Sequence, residues 1–267
     1  MRFRSLPLSQ LTIDDERSFR HVGLYADLKQ VLLDSEYRFR VPAEEHSPSW
    51  DRALFLNLTF WESDAPGGDV LVDTRLAADV VAHAAWHHLA RRALSRGGGL
   101  SSHGLLLGEA IASAFDLYLV GRLLGHAPDS EFLATQVPAM AEVCSAAGVA
   151  ETNFEAMLEA VAADPERAFE DLRALLYDAT TSLLGCNSVE AAAAALEPLD
   201  EHRFAPLLHH YELSNWILAA RVAAANAQPT HDDQEDPAAR VDRALRIAPV
   251  ALDWLERAWL RGDGERE

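Results

Sequence analysis

DTRLAADVVAHAAWHHLARRAL, residues 73–94, is the stretch on which the fold turns. Its apolar residues recur three and four apart throughout, the period of a helix buried along one stripe and not the alternation of a strand. At about 100° per residue, Leu76, Val80, His83, His87, Ala90 and Leu94 share that stripe. Arg92 falls on the opposite side and His88 lies off the stripe. The spacing predicts a helix over 73–95, capped by Asp73 or Thr74. Gly97, Gly98 and Gly99 end it, because consecutive glycines are costly inside a helix.

Outward from this stretch the same period repeats. HGLLLGEAIASAFDLYLVGRLL, residues 103–124, reads as the next helix and stops at Gly125. Further helices are expected over 129–147, 152–163, 165–184 with proline at the first position, 188–196, 201–227 and 237–261, the last bent at Pro249. Upstream, 13–35 reads as a first helix, with Asp14, Asp15 and Glu16 where a helix dipole favours acid. Only ALFLNLTFW, residues 53–61, has β character. The expected fold is mainly α, a multi-helix single domain with at most a small β element near residues 53–61. Residues 1–227 form its main helical domain, 228–236 (QPTHDDQED) an acidic linker, and 237–267 a C-terminal helix packing on the main domain.

Composition bounds the function. The 267 residues carry 23 Lys+Arg against 42 Asp+Glu, a formal charge of −19, and are 49 % hydrophobic. That apolar share excludes a disordered acidic tail. The charge argues against nucleic acid and against an anionic membrane surface, both of which need a basic footprint. His or a charge interrupts each long apolar run, so no transmembrane span is expected. The N-terminus lacks the apolar core of a signal peptide. The two cysteines, Cys144 and Cys186, are too sparse for a disulfide framework. A cytoplasmic location is expected.

Chemistry concentrates on the two long helices. His83 and His87, four apart, lie one turn from each other on the core-facing stripe. Glu109 shares a face of the next helix with Ser113, Asp116 and Val120, flanked by Leu105, Leu106 and Leu123. A buried carboxylate without a partner costs several kcal/mol. Two histidines facing two carboxylates resolve that cost either by pairing or by holding a cation. In the pairing alternative, the carboxylates meet Arg122, Arg91 or Arg75. In the other, two neutral imidazoles and a carboxylate form a Zn²⁺ ligand set with an open fourth position, with Fe²⁺ as the alternative ion.

HAAWH at residues 83–87, followed about twenty residues later by GEAIAS at 108–113, resembles the gluzincin metalloprotease family, one of the zincins. The resemblance covers roughly positions 79–120. It implies a zincin-like helical core in which His83, His87 and Glu109 are metal ligands, and a carboxylate near the glutamate that orients a ligand histidine. Ser113 stands at the usual place of that carboxylate, with Asp116 three residues on. The family carries a general-base glutamate directly after the first histidine. Here that residue is Ala84, which cannot take a proton, so the resemblance implies a degenerate pseudo-peptidase or a base from elsewhere. Glu212 and His209, in RFAPLLHHYELSNWILAARV, are the candidates for such a base, as catalytic residues of a metal-dependent hydrolase acting on a small molecule or peptide. The alternative function is a non-catalytic acidic helical protein, of immunity or adaptor type, that binds a basic protein partner by charge complementarity.

Overall fold

The computed structural model describes residues 3–43, 69–95, 99–226 and 235–262. The expected strand at 53–61, most of the 228–236 linker, and Gly97 and Gly98 lie outside these residues. The described chain is mainly helical with small two-stranded sheets, as expected from the sequence. It divides into two compact units, Met1–Ala85 and Trp86–Glu267. The division falls inside one uninterrupted helix.

The first unit holds the described strands, in segments that the sequence does not mark as strands. β1 (Phe3–Pro7) pairs antiparallel with β3 (Arg38–Pro42), with Ser5 opposite Arg40. β2 (Thr12–Asp14) pairs in parallel with β4 (Arg75–Ala77), with Ile13 opposite Leu76. The single helix expected over 13–35 is therefore three pieces. β2 comes first, then a 3-10 stretch Glu16–His21, then helix α1 (Gly23–Asp34). The acidic run misled: Asp15 takes a left-handed φ of 52° and turns the chain between strand and 3-10 stretch. Phe19, Tyr25, Leu28, Leu32 and Phe39 are buried and form the core of this unit.

Helix α2 (Ala78–Leu94) begins five residues later than the sequence suggested. Residues 75–77 pair as β4 instead, and the Asp73 carboxylate accepts from the Arg75 N–H at 2.7 Å, closing a turn rather than capping a helix.

The second unit is built around helix α3 (Ser102–His126), which has 16 buried residues. Around it pack α4 (Glu131–Ala146), α5 (Glu151–Ala163), α6 (Pro165–Leu184), α8 (Leu213–Asn226) and α9 (Pro237–Ile247). By length and mean composition α3 is apolar enough to cross a membrane even though Glu109 and Asp116 interrupt it, and 83 % of that window is buried inside the protein. The caps explain the boundaries. Ser101, Ser130, Asp164, Ser188 and Asp236 each accept a backbone N–H at the start of α3, α4, α6, α7 (Val189–Leu196) and α9 respectively. Gly121 marks a close approach: a Cβ there stands 2.7 Å from the Val161 carbonyl oxygen, so α3 runs against the end of α5.

Two further helices differ from expectation. The continuous helix over 201–227 is a 3-10 stretch Ala205–His210, led by Pro206, and then α8. The last helix ends at Ile247, and α10 (Ala251–Leu255) restarts after Pro249, continuing into one π-helical turn Glu256–Leu260.

Candidate metal centre

Helix α2 carries His83 and His87 on successive turns, about 6 Å apart along the axis at 1.5 Å per residue. On their stripe Ala90 and Leu94 are buried, while Val80 and both histidines are half-buried; Leu76, expected on it, is a buried residue of β4 instead. Helix α3 delivers Glu109 to the same place. Gly108, the residue before it, is what lets α3 come close. A Cβ at Gly108 stands 3.2 Å from the Ala90 Cβ, tighter than ordinary carbon–carbon contact.

His87 Nε2 lies 3.5 Å from Glu109 Oε2, with side chains 32 % and 15 % exposed. One ligand atom from each of His83, His87 and Glu109 lies within 4.8 Å of the other two, the one such group among the described residues. Donor atoms at about 2.0–2.2 Å from a tetrahedral zinc stand about 3.3–3.6 Å apart. The His87–Glu109 pair already has that separation and the other donor atoms lie within 4.8 Å, so the nitrogen–nitrogen–oxygen set is a candidate metal-binding group.

Trp86, the sequence neighbour of His87, packs among aromatic rings. Trp86, wholly buried, stacks edge-on to Phe115 at 5.5 Å and lies 6.3 Å from Trp259. Arg92 Nη2 donates to the Trp259 carbonyl at 2.7 Å. Among the described residues, the Trp86 indole N–H has no hydrogen-bond partner. His88, off the stripe as expected, is half-buried, and burial with the neighbouring Arg92 charge lowers its pKa from 6.5. Ala84 is buried at 2 % exposure and offers no proton-accepting atom.

The other residues named from the sequence are distributed as follows. Ser113 is buried and Asp116 half-buried, both on the α3 face that carries Glu109. Of the arginines considered as partners, Arg122 pairs with Glu166 and Tyr118, and Arg75 with Asp14. His209 and Glu212 are exposed, lie outside the His/His/Glu group, and do not share one continuous helix. Glu212 precedes α8 and accepts from Asn215 Nδ2 at 2.5 Å.

The sequence pointed to His209, whereas His210 is the histidine turned inward. Its Nε2 is 3.3 Å from Gln136 Oε1 and its ring 5.1 Å from that of Tyr211. Burial lowers the His210 pKa below 6.5 against the opposing pull of Asp116, and burial together with Asp116 pushes the Tyr211 phenol up. The signal for this was Pro206, which breaks the α-helical register on which the His209–Glu212 pairing depended. The expected grouping of His83, His87 and Glu109 is therefore present. Comparison with known proteins returned no matching family model, no matching curated protein and no matching solved structure.

Proposed function

We propose that this chain is a metal-binding helical protein and that His83, His87 and Glu109 hold one divalent transition-metal ion. Zinc suits the donor set best, with ferrous iron as the alternative for two imidazoles and one carboxylate. The observation that carries the proposal is the convergence of the three donor atoms within 4.8 Å across two helices. A bound ion of this kind supplies Lewis acidity to a coordinated carbonyl or water. The chain's own residues hold it in an orientation fixed by α2, and the exposure of the His87 side chain leaves an approach from solvent.

The gluzincin resemblance extends to the ligand set and stops at Ala84. With a methyl group where a general base is required, ordinary peptidase chemistry is not part of the proposal. Glu212 and His209, the replacements suggested by the sequence, are exposed positions outside the group, so the proposed function is binding.

The test is metal analysis of the purified full-length chain, with thermal melting in chelator and in excess Zn²⁺. One equivalent of zinc, lost in His83→Ala, and a melting temperature that falls in chelator are expected. Metal-free protein with unchanged melting in excess Zn²⁺ overturns the reading. The formal charge of −19 favours a second one, an acidic partner of a basic protein. That reading expects chelator-indifferent melting together with salt-sensitive capture of a cationic protein.

A further inference from the structure

We infer that Gly108 and Ala90 form the positioning pair that sets the separation of Glu109 from the two histidines. The inference rests on the metal-binding reading proposed above.

Both residues are buried at the contact of α2 with α3. Gly108 lies inside α3, six residues from its first residue, where alanine is the better helix former. Its backbone makes no turn, and no positive φ is recorded there. What glycine supplies at this position is room. A Cβ there would meet the Ala90 Cβ at 3.2 Å, and among the described residues outside its own helix that is the contact within 4 Å.

The contact is adjacent to the donors on both helices. Ala90 is three residues after His87 and shares its stripe, and Gly108 directly precedes Glu109. Two methyl groups facing each other must separate by a few tenths of an ångström, because ordinary carbon–carbon contact begins at about 3.5 Å. The displacement moves Glu109 away from His87. Zinc–ligand distances tolerate about 0.2 Å, so a shift of that size is felt at the ion.

Gly121 on the same helix is the internal contrast. Its neighbours are the Val161 carbonyl oxygen at 2.7 Å and Pro165 at 3.1 Å, far along α3 from Glu109. Room at Gly121 serves packing, whereas room at Gly108 serves the donor spacing.

The experiment measures zinc affinity of the full chain by competition with a chromophoric chelator, and melting of the metal-free form, for wild type and four variants. Gly108→Ala is expected to weaken zinc binding about tenfold, in the range seen when groups that orient a ligand are changed. Its metal-free melting temperature should not fall in proportion, since alanine favours the helix. Ala90→Gly in the Gly108→Ala background returns the room and should restore zinc affinity to within about threefold of wild type. Ala90→Gly alone, measured alongside, is the reference for the double variant, and Gly121→Ala should lower metal-free stability without changing zinc affinity of the folded protein.

If Gly108→Ala does not fold, the double variant carries the test against Ala90→Gly. Wild-type affinity in Gly108→Ala, or a double variant no tighter than the single, overturns the positioning role while leaving the metal reading intact. Absence of zinc binding by the wild type overturns the metal reading and the inference with it.

Discussion

Helices α6 and α3 each carry a carboxylate cluster away from bulk water, and the chain balances the two in different ways. On α6, Arg173 is wholly buried, takes both oxygens of Glu170 at 2.7–2.8 Å, and donates to Asp242 of α9 at 2.7 Å. On α3, Glu109 faces imidazoles. A guanidinium is permanently charged, has no lone pair and forms a closed fork with carboxylates. An imidazole is neutral near pH 7 and keeps a lone pair for a cation. The Arg173 cluster is complete in itself and acts as a clamp between two helices. The His83–His87–Glu109 group carries imidazole and carboxylate donors of the kind that hold a cation.

The strongest way to break this comparison is to remove the built-in cation. Arg173→Met leaves Glu170 without its guanidinium, and among the described residues Asp242 keeps Arg246 as its ion-pair partner, at 2.9 Å. Breaking a buried pair from one side costs about 3–5 kcal/mol, and Arg246 places this case at the lower end. Urea unfolding at neutral pH measures it. The loss should be the same with and without chelator, since no metal donor is involved.

The complementary change adds and removes the external cation. Zinc at a hundredfold excess over its dissociation constant should stabilise the chain by about 2.7 kcal/mol. His87→Ala should abolish that increment, and Arg173→Met should retain it in full, because distant independent sites add. Calorimetric melting in matched zinc and chelator buffers reads both. An increment that disappears with Arg173 and survives without His87 refutes the division of roles.

What the sequence showed of this comparison follows from which interactions are local. The α6 boundaries were readable at both ends because Asp164 caps, Pro165 starts and the apolar stripe is regular. The donor trio was readable because i,i+4 spacing on α2 and one position on α3 fix which face each side chain occupies. The strands were not readable, since pairing of Thr12–Asp14 with Arg75–Ala77 joins segments about sixty residues apart and overrides an acidic run that looks like a helix start. The Arg173 clamp was missed for the same reason: Asp242 lies 69 residues away. The significance of Gly108 depends on which residue of α2 lies opposite, and one sequence does not state that.

A third change separates packed histidines from histidines that hold donors. His202 and His210 have pKa values lowered from 6.5, in each case chiefly by burial. In the unfolded chain they take a proton near the ordinary value, and in the folded chain only at lower pH. The unfolded state thus binds more protons in that window, so stability is full above about 6.5 and falls as pH drops from there toward the lowered values. His210→Gln should flatten part of that loss in chemical denaturation followed from pH 7.5 to 5. It should leave zinc affinity unchanged, because His210 is not in the donor group. A steeper acid loss in His210→Gln contradicts the assignment.

The smallest expected effect belongs to an ion pair of the same chemistry as the Arg173 clamp, placed near the surface. Arg122 pairs with Glu166, but their side chains are 36 % and 30 % exposed. Water and salt already solvate both charges, so forming the pair gains little over leaving it open. Glu166→Gln should therefore cost no more than about 1 kcal/mol, and the cost should shrink between 0.05 M and about 0.5 M salt, where the screening length falls well below 10 Å. Arg173→Met in the same salt series should hold nearly constant, because ions do not reach a guanidinium with no exposed surface. If both variants show the same salt dependence, burial is not what distinguishes the clamp. The contrast between a cluster closed by its own arginine and one built on imidazoles then loses its physical basis.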